Sequence, residues 1–339
     1  MIRKDKAYRY YLPHIQSPTY FNLQHQLKIQ GWSSSRYAWL AHFSEKNLEF
    51  HVNAAETLEY KHLLASLVTQ YCPDIMPETY YINDTNWIAV LNQIADKYYI
   101  KDNHIMDQMD DIAWILKPAL LNNGQQIKIF QQLSQIEQHY ISSNRLGGDH
   151  VLQKYITHPH LYNGNKYSIR MFVVLTNYAG AFIYPHGYFN VALHSYQSDQ
   201  FNDLRRHLTN EHLYDNEANV IQVPTYELND LFLPIYPKIK TIASSVVHAL
   251  TQWYPDAFTS SWRTKRTIAF FGFDFMVDVD KRVWLLEANH GPCFPTSDTH
   301  PLQNTLYSTF WQDSITNFVL PISRRESVKS IQYHVFENI

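Results

Sequence analysis

Two acids and an amide near the end of the chain are spaced to share one face of a β-hairpin. The stretch Phe270-Phe271-Gly272-Phe273-Asp274-Phe275-Met276-Val277-Asp278 is followed by Val283-Trp284-Leu285-Leu286-Glu287-Ala288-Asn289. A turn centred between Asp280 and Lys281 makes Asp274 and Glu287 direct cross-strand partners. Side chains alternate along a strand, so Asn289 shares the face of Glu287, while Phe273, Phe275, Trp284 and Leu286 point the other way into a core. Like charges opposed on a sheet repel unless a cation lies between them. Two carboxylates and an amide offer only oxygen, a set that suits Mg²⁺ or Mn²⁺ carried by a phosphate ligand better than zinc. A lone acid on a strand is more often a solvated outer-face residue. Here Phe, Trp and Leu crowd both strands, which favours coverage of both faces and hence a metal site.

Other segments carry what a nucleoside triphosphate needs. In Trp114-Ile115-Leu116-Lys117-Pro118 a lysine at the end of a buried strand can set its ammonium on a phosphate, and the polar turn Asn122-Asn123-Gly124-Gln125-Gln126 can fold over it with backbone N–H groups. A strand that simply ends at Lys-Pro is the commoner meaning of that text alone. Val151-Leu152-Gln153-Lys154-Tyr155-Ile156 puts Gln153 and Tyr155 on one face and Lys154 on the other. Such an edge could pair with an adenine through its backbone. Arg170 lies inside the most apolar strand, begun by Lys166-Tyr167-Ser168-Ile169-Arg170. Its guanidinium must meet an anion there, a hairpin carboxylate or a ligand phosphate.

The elements that must position these residues follow from hydrophobic period. Residues 1–58 read as a small α/β domain of weak periodicity. Apolar residues at three and four spacing predict helices over Tyr60–Tyr71 and Asn86–Tyr98, with a short strand Thr79–Ile82 between them. Ile112–Leu116 reads as a strand ended by Lys117-Pro118, and a strand or helix start at Ile127 leads into a helix to about Ile141. Asn144–Asp149 has turn composition and serves as a linker, which divides the chain into 1–58, 59–150 and 151–339. Beyond it, strands are expected at Val151–Ile156, Tyr167–Asn177 and Ala181–Tyr184, then a polar insertion near 195–220. A helix over Lys238–Tyr254, the hairpin and a helix over Leu302–Phe318 complete the order. No internal repeat is visible. The order gives an α+β or α/β architecture with mixed, largely antiparallel sheets covered by helices.

Composition narrows the class. The 339 residues are 45% hydrophobic, 15% aromatic and 17% charged, so order is expected throughout. A net charge of -3 gives no general attraction to nucleic acid or an acidic membrane, and the basic clusters Arg263–Arg266 and Ser323–Arg325 read as solvated faces. Cys72 and Cys293 are the only cysteines, which excludes a disulfide scaffold or thiolate zinc site and fits a reducing compartment. The 18 histidines, His158, His160, His207 and His212 among them, lack ligand spacing and are expected mostly at the surface. No apolar run approaches bilayer length, and no apolar signal region follows Met1–Lys6, so a soluble cytoplasmic protein is expected.

In order and spacing, Trp114–Pro118, Leu152–Ile156, Lys166–Thr176, Phe271–Asp278 and Trp284–Asn289 resemble the tubulin-tyrosine ligase-like family of the ATP-grasp fold. The resemblance covers about residues 60–295. It implies that Lys117 and Lys154 contact ATP phosphates, that Gln153 and Ile156 meet the adenine, and that Gly124 belongs to the phosphate loop. It further implies that Asp274, Glu287 and Asn289 hold Mg²⁺, and that Lys61 reaches the phosphates. Arg170 would serve the phosphate or acyl-phosphate end, so Arg170 and Lys154 are the expected catalytic residues.

Departures from that pattern fall at the substrate end. Ser168 stands where the family usually has Asp. The segment Tyr184-Pro185-His186-Gly187-Tyr188-Phe189-Asn190-Val191-Ala192 lacks both arginines of its family counterpart, and Asn190 replaces the one associated with the incoming amino acid or reacting carboxylate. Gln126 stands where a second glycine is common and should stiffen the loop. Ser168 and Asn190 are therefore the expected substrate-binding residues. The resemblance implies an ATP-dependent carboxylate–amine ligase that adds an amino acid to a protein or peptide, tubulin included, through an acyl-phosphate. The alternatives are a nucleotide-binding interaction protein without ligation and a small-molecule ligase.

Overall fold

The computed structural model describes residues 8–13, 17–98, 100–101, 104–105, 112–121, 124–211, 213, 218–259, 264–292, 294–295, 299–328 and 331–339. Met1–Lys6, Asn122, Asn123, His212, Arg263 and Cys293, all named above, lie outside the described residues. The architecture is mixed α+β, with largely antiparallel sheets covered by helices, as expected.

The strand Asn165–Thr176 organises the large sheet. It pairs along one edge with Tyr188–Ser195 and then Gly180–Ile183, and along the other with Ile268–Val277. Val283–His290 extends the sheet beyond Ile268–Val277, and Val220–Pro224 extends it beyond Tyr188–Ser195. Alternation assigns the strand's two faces. Tyr167, Ile169, Met171, Val173 and Leu175 enter one core with Phe271, Phe273 and Phe275, closed by the helix Tyr236–Trp253. That helix offers Ile239, Ala243, Val246 and Leu250 at the three- and four-residue spacing of a single face. The three phenylalanines are fully buried, each contributing roughly 1.5–3 kcal/mol. On the opposite face Phe172, Val174 and Phe270 pack under the helical stretch Gln303–Arg324 and the N-terminal residues Tyr10, Leu23, Leu27 and Phe43.

That second cover stops short. Lys166, Ser168 and Arg170 have the parity of Phe172 and Val174, but the four-stranded sheet faces them instead of a helix, across a cavity. Its order is Thr79–Ile82, His150–Lys154, Trp114–Pro118 and Lys128–Phe130, all antiparallel. Trp114, Leu116 and Leu152 pack against Val90, Leu91, Ile94 and Ile136 of the helices Trp87–Tyr98 and Leu133–Ile141. Ile115, Lys117 and Gln153 point to the cavity.

Several expectations need correction. Lys117 and Pro118 do not end their strand but belong to it. Pro118 is tolerated because pairing with Lys128–Phe130 stops at Leu116, so the missing N–H is not needed on that side. His150–Lys154 is an interior strand with neighbours on both sides, not an edge. The final helix runs beyond Phe318 to Arg324 and ends at Arg325 in the left-handed region. The helix Pro18–Ile29 and the strands Tyr188–Ser195 and Val220–Pro224 were not foreseen.

Candidate active site

The hairpin does set Asp274 opposite Glu287, although the turn alone would not. Asp278 organises the turn: its carboxylate accepts from the Arg282 N–H at 2.9 Å and from Trp284 Nε1 at 2.8 Å, with Lys281 at φ +61°. The ladder leaving this turn pairs Val277 with Val283 and Phe275 with Leu285. Continued regularly, it would put Leu286 opposite Asp274. A bulge between Asp274 and Phe275 pairings absorbs Leu286, and Glu287 arrives opposite Asp274. The same bulge corrects two expected core positions. Leu285 is buried in the core, whereas Leu286 lines the cavity and Trp284 lies half-buried beneath the Arg282 guanidinium.

Asn289 joins the acids as expected. Its Nδ2 donates to Asp274 Oδ2 and to Glu287 Oε1, each at 3.2 Å. Arg170, paired with Asp274 in the ladder, grips that carboxylate with Nε on Oδ1 and Nη2 on Oδ2, the latter at 2.7 Å. Such a fork is possible because residue 272 is glycine: a Cβ there would lie 2.7 Å from Arg170 Cδ. Lys61 Nζ donates to the Leu121 carbonyl at 2.8 Å and stands 3.8 Å from Glu287. Lys117 Nζ donates to Gln153 Oε1 at 2.8 Å, and Gln153 Nε2 donates to Thr79 Oγ1 at 2.8 Å.

Electrostatics distinguish the two acids. Burial pushes the Asp274 carboxyl up to about 6 against the pull of Arg170. Burial would also raise Glu287, but Lys61 and Lys117 bring it down to about 2. Burial lowers Lys117 to about 8, with Glu287 opposing and Lys61 adding to the fall. Lys166 is 2% exposed, and burial, with Lys117 adding, holds its ammonium well below the usual lysine range. Buried ammoniums in this state need an anion.

The remaining expected residues divide. Ile156 and Gly124 line the cavity. Gly124 has φ +71°, and a Cβ there would lie 2.8 Å from Leu213 Cδ2. Gln126 adopts φ +58°, so the loop bends at a residue without glycine's freedom. Lys154 reaches the rim, but its ammonium lies 4.8 Å from the Tyr98 ring centre, on the parity of Leu152 rather than of Gln153. Ser168 and Asn190 are neighbours in the ladder, and Asn190 pairs onward with Gln222. Thr209 donates to Ser168 Oγ at 2.8 Å and Gln222 Nε2 donates to Asn190 Oδ1 at 3.1 Å, a neutral row across the sheet.

Sequence reasoning missed Lys166, Gln222, Met276 and His207. For Lys166 the signal was available, because its parity with Ser168 and Arg170 places it on the cavity face. His207, expected at the surface, is 1% exposed. Among the described residues no three of His, Cys, Asp and Glu gather as a metal site. No helix among them is long and apolar enough to cross a membrane.

The chain is 25% identical over 255 residues to tubulin glycylase 3C of Tetrahymena thermophila, covering 71% of this chain and 23% of that protein. It is 28% identical over 244 residues to tubulin glycylase 3B of the same organism, covering 66% and 20%. With the probable tubulin polyglutamylase ttll-9 of Caenorhabditis elegans it shares 22% over 231 residues, covering 64% and 54%. The match thus spans from a fifth to about half the length of these relatives. A profile of the Tubulin-tyrosine ligase family, whose fold is ATP-grasp-like, matches residues 74–328 and includes both sheets around the cavity. With Lys117, Arg170, Asp274, Glu287 and Asn289 gathered inside that span, the chain belongs to the tubulin-tyrosine ligase family.

Proposed function

We propose that the chain is an ATP-dependent ligase that joins an amino acid to a carboxylate of a protein or peptide. The observation that carries this reading is electrostatic. Lys61, Lys117, Lys154, Lys166 and Arg170 line one cavity with the carboxylates of Glu59, Glu211, Asp274 and Glu287, and two of the ammoniums, Lys117 and Lys166, are destabilised by burial. A triphosphate would give those two buried ammoniums an anionic partner. The names of the relatives, tubulin glycylase and tubulin polyglutamylase, make tubulin the first acceptor to test.

Asp274, Glu287 and Asn289 would suit Mg²⁺ or Mn²⁺ with the Asn289 amide turned to present its oxygen, in place of the Nδ2 that now donates to both acids. Such an ion would neutralise phosphate charge and fix its oxygens. Lys61, Lys117 and Lys166 would bind and orient those oxygens. Ile115, Met276 and Leu286 give the cavity an apolar wall suited to a base, with Gln153 beside it. Arg170, held by Asp274, would face the carboxylate as it becomes an acyl-phosphate. A carboxylate is a poor electrophile, so phosphorylation provides the leaving group. The amine then forms the C–N bond and phosphate departs. Positioning and charge stabilisation suffice, with no protein nucleophile.

Glu287→Gln removes one negative charge at nearly constant volume and is expected to abolish Mg²⁺-dependent ADP release while the far-UV spectrum stays unchanged. Undiminished ADP release by that variant would refute the reading. A second reading, a nucleotide-binding interaction protein without ligation, is favoured by the neutral Ser168–Asn190–Gln222 row. Nucleotide binding without ADP release across tubulin and peptide acceptors would establish it.

A further inference from the structure

We infer that His207 is a positioning residue, which fixes the Tyr155 hydroxyl so that the Lys166 ammonium is aimed into the cavity. Three hydrogen bonds carry the argument, and one fixed point orders them. His207 Nε2 lies 2.9 Å from the Gln200 carbonyl, which can only accept, so Nε2 bears the proton. In the neutral imidazole Nδ1 is then an acceptor, 2.9 Å from the Tyr155 oxygen. The Tyr155 O–H therefore donates to Nδ1. Its oxygen is left to accept from Lys166 Nζ at 2.6 Å, and the other ammonium hydrogens remain for a ligand.

Burial makes the order binding. Lys166, Tyr155 and His207 are 2%, 6% and 1% exposed, so water does not substitute for a lost partner. Burial, with Lys166 adding, lowers His207 to about 4, which keeps the imidazole neutral near pH 7. His207 is held in turn by stacking on Phe201 at 4.9 Å and by the Tyr196 ring edge at 5.4 Å. The turn that carries it is pinned by Arg206, whose Nε meets Asp203 at 3.1 Å and whose Nη1 donates to the Ser195 carbonyl at 2.9 Å. The polar insertion is thereby linked to a cavity ammonium.

This inference rests on the nucleotide reading above, and its test separates the two. Binding of Mg·ATP is measured by titration calorimetry for the full chain, His207→Phe, His207→Asn, Lys166→Met and the double variant His207→Phe/Lys166→Met. His207→Phe keeps the ring stacking and removes the acceptor, and its Kd is expected to rise about tenfold, or about 1.4 kcal/mol. His207→Asn, whose Oδ1 can accept in place of Nδ1, should return Kd to within about threefold of the parent. In the Lys166→Met background, His207→Phe should change Kd less than about twofold, because nothing remains to be aimed. An equal tenfold loss in both backgrounds marks a merely structural role and overturns the inference, as does no loss in the parent. If His207→Phe does not fold, Tyr155→Phe replaces it in the cycle with the same expected result, and an unchanged Kd overturns the inference. A parent chain that binds no Mg·ATP overturns the nucleotide reading and this inference together.

Discussion

Lys117 shows how a side chain with a proposed binding role can burden the fold. Its ammonium is buried beside Lys61, and the folded state lowers it to about 8 from a usual lysine value. The sign follows directly. Below pH 8 the group is charged folded and unfolded and the full penalty applies. Between about 8 and 10.5 only the unfolded chain holds the proton, so the penalty fades as pH rises. Lys117→Met should therefore stabilise the fold at pH 7 by about 1–2 kcal/mol, after allowance for the partner lost by Glu287, and the gain should vanish above about pH 10.5. Urea unfolding at pH 7 and pH 10.5 checks this. Gly272→Ala is the complementary case. The added methyl meets Arg170 Cδ and should displace the guanidinium from Asp274, with turnover falling at least tenfold and stability by about 1–3 kcal/mol. Retained turnover would show that the Arg170–Asp274 fork is dispensable. At this scale the sequence was legible where residues alternate on a strand, as for Asp274 and Asn289. It was illegible where chemistry depends on distant partners. Nothing near His207 announces Tyr155, 52 residues away.

Among the elements, long apolar strands were the easiest to read. Asn165–Thr176 and Ile268–Val277 are covered on both faces over most of their length, so β-branched and aromatic residues crowd them. Tyr188–Ser195 and Val220–Pro224 escaped notice because Asn190 and Gln222 interrupt their apolar pattern. Those residues face the cavity, and a site is where a strand departs from the core pattern. The close approach of Tyr188–Ser195 to its neighbour also depends on residue 187. A Cβ on Gly187 would run into the Arg170 carbonyl and lie 2.7 Å from Met171 Sδ. Gly187→Ala should separate the strands at the cavity floor and cost about 1–3 kcal/mol or more, read from the midpoint of urea denaturation. A midpoint within error of the parent would exclude that tight approach. Lys117-Pro118 was misjudged as a strand end because proline's missing N–H was counted without knowing which side has a partner.

Across the whole molecule, remote parts of the chain share one core. Tyr10, Leu23, Leu27 and Phe43 pack with Phe310, Trp311, Phe318 and Phe336 over the large sheet. Contacts of this sequence separation bind the ends of the chain to the sheet that carries Arg170 and Asp274. The expected consequence is that the N-terminal residues and the large sheet unfold together. Phe43, fully buried, tests it: Phe43→Ala should cost about 3–5 kcal/mol and shift tryptophan fluorescence and far-UV circular dichroism by the same amount. Two separated transitions would contradict this cooperativity. The weak periodicity of residues 1–58 is explained by the same packing. Short strands and the helices Pro18–Ile29 and Val52–Glu59, which complete other elements' cores, need little internal pattern.

The bulge at Leu286 bears on how this region tolerates changes of length. Excising that one leucine would let the ladder from the turn run on without interruption and still deliver the glutamate across from Asp274, since the surplus position itself would have gone. A chain that lacks one residue at this point would keep its two acids opposed, so a one-residue gap there in an alignment is no sign of a broken site.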